Sequence, residues 1–342
     1  MMHFSVDPSG KEPIYKQLIK QVEKALHEGS LCAGELLPSM NELAAKLNIS
    51  KETVKKSYGL LVDKGTIVPK QGKGFYAADL SGNEHPDVLV IFDKFSIYKQ
   101  VLYNSFAATL GEHASLTIVN HNQSLDLLQY YLDNYLDNYD YYVVTPHFPL
   151  DGESQARAVK LLSRIPNRKL ILLDRLQPNF PGNYGAVCQD FENDIYFGLM
   201  EGVSLVCRTR VLRVITLSSS LYGAEIRKGV ERFTREQQLP VEFLSSAPEE
   251  IEPGDTFLIL NSQLDAGLVS LARNIHAKGL EIGKDVFVIS YNEYETYELV
   301  LGGLTTVSAD FAEMGRLAAG QILNRRMEKV HCPFHMHRRS TF

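Results

Sequence analysis

Between Pro13 and Leu26, apolar residues fall at Ile14, Leu18, Val22, Ala25 and Leu26, the spacing of a helix with one buried face. Gly29 and Gly34 bracket the turn that follows. Ser39 then stands three residues before Glu42, a capping-box pattern, and Leu43, Ala44 and Leu47 continue a short helix. A turn at Asn48-Ile49 leads to Ser50, a second N-cap, and to a helix burying Val54, Tyr58 and Leu61. Gly65 is placed to end that helix. In "TIVPKQGKGFYAA", Ile67-Val68 and Phe75-Tyr76 read as two strands, with Gly72 and Gly74 supplying the turn between them. The pattern predicts three helices and a β-hairpin in residues 1–78, then a polar linker, "DLSGNEHPD", over 79–86.

From Val88 onward the period changes. The runs "VLVIF", "YYVVT", "KLILLD", "VLRVITL", "TFLILN" and "VFVIS" read as buried parallel strands, with "SLTIVN" a weaker candidate. Helical stretches near 98–110, 153–164, 193–206, 224–236 and 265–278 separate them. Strands alternating with helices over this length predict a doubly wound α/β body in two similar lobes. "YYLDNYLDNYDYY" reads as a tyrosine-rich helix leading into a strand.

Length and composition add bounds. With 342 residues, two or three domains are expected. No stretch approaches 18 uninterrupted apolar residues, and the start lacks a basic segment followed by an apolar run, so a cytoplasmic location is expected. The four cysteines are scattered, which fits a reducing compartment better than a disulfide framework. The net charge of −6 speaks against nucleic-acid binding by the chain as a whole. Its distribution differs: residues 1–78 hold 11 Lys against 8 Asp and Glu, while the remainder holds 24 Lys and Arg against 33 Asp and Glu. A mildly basic head on an acidic body suits a small DNA-reading module.

The chemistry narrows the classes further. The polar start of the helix after Ser50 can enter a major groove, placing Lys51, Thr53, Lys55 and Lys56 near base edges and phosphates. The "GKG" at 72–74 lies between strands, not between a strand and a helix, so it is no nucleotide loop. His331, Cys332, His335 and His337 could chelate a metal, but His335 and His337 also fit one face of a terminal strand, and no metal or other cofactor is expected. No hydrolase, zinc-enzyme or phosphate-loop motif appears, and no catalytic residue is expected.

Residues 12–78, with "PIYKQL", "LPS", "ELAAKLNISKETV" and the glycine hairpin, resemble the winged helix-turn-helix of the GntR family of bacterial transcription regulators. The resemblance implies that Lys51 and Lys55 hold positions usually occupied by arginines, and that Asn41 replaces another such arginine. Ser39, Ser50, Thr53 and Lys56 belong to the same DNA-facing surface, and Gly72, Lys73 and Gly74 resemble the wing. Residues 1–80 contain no arginine, so operator reading is expected to rely on lysine, asparagine and DNA shape.

Residues 87–342 resemble the effector domain of the LacI/GalR regulators, a two-lobed fold shared with periplasmic sugar-binding proteins. "VCQDFENDIYFGL", "EIRKGVERF", "LTTV" and the final "HMHRRSTF" carry the likeness. It implies a homodimer. Lobe 1 is expected over about 87–175 and 305–326, lobe 2 over about 176–304 and 327–342. Open parallel sheets bind ligands at the carboxyl ends of their strands. That rule selects Asp93, Lys94, Phe95, Asp174, Arg175, Asn261 and Asn292, with Asp190 and Arg227 near helix starts. By the resemblance, Arg227, Asn261 and Asn292 match sugar-bonding positions, although Asn292 replaces a usual aspartate. Asp190 and Asp174 could instead cap a helix or brace a crossover, and Phe95 could be core.

The expectation is therefore a ligand-responsive, DNA-binding transcription regulator, a repressor of carbohydrate-use genes. It binds a double-stranded, pseudo-palindromic operator as a homodimer and a monosaccharide or derivative between its lobes. A regulator sensing a purine, amino acid or phosphosugar is the first alternative. An α/β enzyme with an accessory DNA-binding head is the second.

Overall fold

The structure, a computed structural model, describes residues 4–8, 10, 12–27, 30–32, 34–78, 85–206, 208–216, 221–260 and 266–342. The expected linker at 79–86 falls almost wholly outside these, as does Asn261.

The head follows the sequence pattern. Helices α1 (Ile14–His27), α2 (Met40–Leu47) and α3 (Lys51–Asp63) precede the antiparallel hairpin β1 (Ile67–Lys70) and β2 (Gly74–Ala77). Leu18, Val22, Leu43, Val54, Tyr58, Leu61 and Ile67 form its core. The Tyr58 hydroxyl donates to the carbonyl of Pro38 at 2.8 Å, and its ring meets Phe75 edge-on. One side chain thereby ties α3 to the entry of α2 and to the hairpin. Gly65, at φ 70°, ends α3 in the left-handed conformation that glycine adopts without strain.

The body contains two six-stranded sheets. The first comprises β3 (Asp87–Phe92), β4 (Ser115–Asn120), β5 (Tyr141–Val144), β6 (Leu170–Asp174), β7 (Gly185–Cys188) and β13 (Lys329–His331). All are parallel, in the order β13-β7-β6-β5-β3-β4. The helices α4 (Ile97–Leu110), α5 (Leu125–Tyr135) and α6 (Gly152–Leu162) alternate with its strands. The second sheet comprises β8 (Val211–Ile215), β9 (Val241–Leu244), β10 (Asp255–Ile259), β11 (Phe287–Tyr291), β12 (Thr305–Ala309) and β14 (Phe334–His337), in the order β14-β12-β11-β10-β8-β9. Only β14 runs antiparallel. Helices α7 (Phe191–Glu201), α8 (Val203–Val206), α9 (Gly223–Glu236) and α10 (Ala266–Ala277) belong to this half, and α11 (Phe311–Leu323) follows β12. Fully buried strands such as β6 and β10 explain the uninterrupted apolar runs.

The sheets divide the chain differently from the expected lobe boundaries. Residues 185–188 are a strand of the first sheet, 305–309 a strand of the second, and 329–331 return to the first. The chain therefore crosses between lobes three times: after β7, after β12 and between β13 and β14. Each crossing helix docks on the lobe it enters. Gly229 of α9 lies so close to α7 that a Cβ would strike the carbonyl of Glu192, and Gly315 of α11 bears the same relation to Leu102 of α4. Glycine is required at both because backbone meets backbone there. The crossings are themselves hydrogen-bonded, with the Cys332 amide donating to the Cys188 carbonyl at 2.8 Å and the Asp310 amide to the Pro333 carbonyl at 2.9 Å.

Candidate functional site

Two sites emerge, one in each part. In the head, the Ser39 hydroxyl accepts from the Glu42 amide at 3.2 Å while the Glu42 carboxylate accepts from the Ser39 amide at 2.9 Å, completing the capping box. Ser50 accepts from the Thr53 amide at 3.1 Å and shares a hydroxyl–hydroxyl bond with Thr53 at 2.8 Å. The two serines thus fix the ends of α2 and α3. Ser50→Ala is expected to cost about 1 kcal/mol of local stability, read as faster hydrogen exchange at the Thr53 amide.

That cap leaves the start of α3 projecting. Lys51, Lys55 and Lys56 are exposed, as are Asn41, Gly72, Lys73 and Gly74, whereas Thr53 is half-buried. Lys51 forms no ion pair among the described residues, and Lys55 lies 3.8 Å from Glu52, both exposed, a pair of little energetic weight. Lys56 differs: its ammonium sits 4.0 Å from the Tyr15 ring centroid and so turns back onto α1. Lys51 and Lys55 are the exposed cations of the helix start that are not drawn onto α1.

In the body, the strand ends of the first sheet gather a buried cluster of charges. Asp93 follows β3, His147 lies two residues beyond Thr145 at the end of β5, Asp174 ends β6, and Lys99 comes from the first turn of α4. All four side chains are nearly inaccessible. The Lys99 ammonium donates to Asp174 and lies 3.9 Å from Asp93. His147 Nδ1 is 3.4 Å from Asp93 and its Nε2 is 3.2 Å from Asp174. Thr145 Oγ1 accepts from the Asp93 amide at 2.7 Å and donates to its carboxylate at 3.2 Å.

The electrostatics follow from this pairing. Burial raises both carboxyl groups, but Lys99 and His147 outweigh it, and Asp93 and Asp174 are held well below the ordinary carboxylate range. Burial also opposes charge on His147, yet its bonds to Asp174 and Asp93 prevail, and it is held above the ordinary histidine value. With His147 protonated, the cluster carries two positive and two negative charges. His121, whose Nε2 meets the Thr145 carbonyl at 2.9 Å, is the reverse case: burial pushes it down to about 4.

A pH dependence follows. Stability contributed by His147 is complete below its unfolded value of about 6.5 and is lost as pH rises through its raised folded value. That of the two carboxylates is present above about 3.9 and is lost as pH falls. In thermal unfolding between pH 6 and 9, the advantage of the wild type over His147→Gln is expected to shrink steadily with rising pH.

Around this cluster lie groups from both lobes. Gln189, just after β7, donates its amide to Asp174. Arg175 reaches Glu225 of α9 at 3.4 Å, and its guanidinium stands 5.2 Å from the centre of the Tyr222 ring. Tyr222 stacks on Phe191 at 4.3 Å and meets His147 edge-on at 4.8 Å. Asp174 and Asn292, at the ends of β6 and β11, share a left-handed backbone with φ 71° and 72°, a conformation that Asp and Asn tolerate and that marks functional turns. Arg175 Nη1, Gln189 Oε1, the Tyr222 hydroxyl and Asn292 Oδ1 are buried without a hydrogen-bond partner.

The expected residues are therefore only partly assembled. Asp93, Asp174 and Arg175 come together, and Asn292 lies at a strand end of the second sheet. Lys94 and Phe95 are exposed, and Phe95 leans on Phe92 and Tyr103. Asp190 caps α7, accepting from the Asn193 amide at 3.2 Å. Arg227 turns outward, pairing with Glu231 at 2.7 Å and lying over Phe243. The cause is helical phase: each residue advances about 100°, and Ile226, one position earlier, takes the buried direction. Lys99, His147, Gln189 and Tyr222 were not expected. For His147 and Gln189 the signal was present, since both follow apolar strands, whereas Lys99 lies within a helix and only packing reveals it.

The histidines at the end of the chain find carboxylates. His331 meets Asp194 at 2.7 Å and His335 meets Glu201 at 3.0 Å. Cys188 and Cys332 are buried thiols, and Cys207 lies outside the described residues. Among the described residues no helix is long and apolar enough to cross a membrane.

Comparison with known proteins agrees with both halves. Residues 14–77 match the family of bacterial regulatory proteins named gntR, and residues 211–341 match a periplasmic binding protein-like domain. Over 74 residues the chain is 35% identical to the HTH-type transcriptional repressor YtrA of Bacillus subtilis, covering 22% of this chain and 57% of that protein. Over 144 residues it is 31% identical to the HTH-type transcriptional regulator TreR of the same organism, covering 41% of this chain and 53% of TreR. The chain thus spans little more than half of these relatives. The trehalose repressor from Escherichia coli superposes with a TM-score of 0.59 at 15% identity, over 74% of this chain and all of that one, a likeness of fold. Together the matches show a head similar to the gntR family of bacterial regulatory proteins and, over residues 211–341, a body similar to periplasmic binding proteins.

Proposed function

We propose that the protein is a ligand-responsive transcription regulator, a repressor of carbohydrate-use genes. It binds a pseudo-palindromic operator as a homodimer and senses a small carbohydrate where its lobes meet. The observation that carries the reading is the union of a capped, lysine-bearing helix start with a buried charge cluster of the first lobe that meets Tyr222 and Glu225 of the second. Transcription regulators among the relatives, and a trehalose repressor among the similar folds, support it. The bound ligand shifts the balance between lobe arrangements, and the linker at 79–86, which lies almost wholly outside the described residues, passes the change to the head. For this to act on DNA, the ligand must favour one arrangement over the other.

The test is a thermal-shift screen of the full chain against sugars, followed by operator binding with and without the best hit. A sugar that raises the unfolding temperature and alters operator affinity is the expected result. Stabilisation by no sugar at all removes the carbohydrate reading. Turnover of a ligand, abolished by changing a residue of the buried cluster, replaces the regulator with an enzyme.

A further inference from the structure

The buried groups around the cluster constrain the charge of the ligand. All four central charges are consumed by one another: Lys99 and His147 each face Asp93 and Asp174. Arg175 is half-committed to Glu225 through Nη2. Asp174 also fixes the orientation of Gln189, because it accepts from the Gln189 amide nitrogen. The carbonyl oxygen Oε1 is therefore the end of Gln189 left unpartnered. Arg175 Nη1, a donor only, and the Tyr222 hydroxyl, which can do either and belongs to the ring beside that guanidinium, are likewise buried and unpartnered. Asn292 Oδ1 waits at the end of β11.

A buried amide oxygen needs a proton from its partner, and leaving it without one costs the desolvation of that group. A sugar hydroxyl supplies both a donor and acceptors. An ionised phosphate or carboxylate offers acceptors and little else, so one seated at Gln189 would set oxygen against oxygen. It would also bring net charge into a site where Lys99 and His147 already stand against two carboxylates, so that Arg175 would carry most of the compensation.

We propose that the interlobe site selects an uncharged polyhydroxyl ligand over its phosphorylated and carboxylated counterparts, with Gln189, held by Asp174, as the specificity-determining acceptor. The inference rests on the carbohydrate reading above and narrows it. Lys99 and His147 are spent on pairing with the two aspartates, and Arg175 becomes a hydroxyl donor.

The experiment is calorimetry on the full chain with matched sets: neutral monosaccharides and disaccharides, their phosphate esters, and the corresponding sugar acids. A neutral member should bind at least ~100-fold more tightly than its charged counterparts, the scale on which unpaired polar groups discriminate. A phosphate or acid that binds as tightly or more tightly overturns the inference while leaving the carbohydrate reading intact. Binding by no member of any set overturns both. Gln189→Met should weaken the neutral hit at least ~10-fold. If that variant fails to fold, singly deoxygenated derivatives of the hit answer the same question on the wild type. One of them should lose at least ~10-fold, and uniform tolerance overturns the role of Gln189.

Discussion

Lys99→Met is expected to destabilise the body by about 3–5 kcal/mol, the cost of leaving a buried ion without its partner. The Lys99 side chain is 7% exposed and lies between two carboxylates that are themselves 7% and 9% exposed. Methionine fills the same volume but returns no charge. Asp93 and Asp174 would then share His147 alone, and one of them would have to take up a proton. Denaturant unfolding followed in the body should show the loss, and the acid side of the pH profile should move upward. The double variant Lys99→Met/Asp174→Asn should recover part of it, because the pair leaves together. A single variant within about 0.5 kcal/mol of wild type, the range of surface substitutions, would mean that the cluster is not an electrostatic unit.

The second large effect is on DNA. Lys51→Ala/Lys55→Ala is expected to lower operator affinity at least ~100-fold, since good base contacts are worth about 1–3 kcal/mol each and a dimer loses them in both half-sites. The reason is local: Lys51 and Lys55 are exposed at the capped start of α3, Lys55 with only a weak contact to Glu52, while Lys56 is drawn to Tyr15. Measuring the variant on operator and on unrelated DNA separates two roles. A loss larger on the operator identifies base readers. An equal loss on all sequences, with a salt slope smaller by about one for each lysine and half-site, identifies phosphate contacts. Unchanged binding on both would move the recognition surface elsewhere. Because lysine is a flexible point charge, either outcome leaves this head with looser readout than planar arginine forks would give.

Much of the architecture could be read from the chain. The head was legible to its caps, because Ser39-Glu42 and Ser50-Thr53 are local patterns whose bonds span three residues. The body's parallel strands were legible where both faces are buried, as in β3, β6 and β10. Shorter or more exposed strands such as β9 and β13 were not, since half-exposed residues break the apolar run. Lobe membership failed for a different reason. β7 pairs with the strand just before it, β6, and β12 with β11, and no local pattern records that the chain changes sheet only after each of them.

The site divides in the same way. Asp93 and Asp174 were readable because an ionisable residue directly after a buried strand needs a cause. Arg227 was misplaced because a step of one residue on a helix turns a side chain by about 100°, from the core face occupied by Ile226 to the surface. The sequence by itself determined the caps, the helix period, the glycine wing and the alternation that makes two α/β lobes, all consequences of spacing within one or two turns. Only the tertiary structure decided that Lys99 and His147 neutralise the two aspartates, and that Gln189 turns its oxygen away from Asp174. Those outcomes rest on distances between residues as many as 75 positions apart, or on the orientation of one amide, which close packing sets and sequence spacing does not.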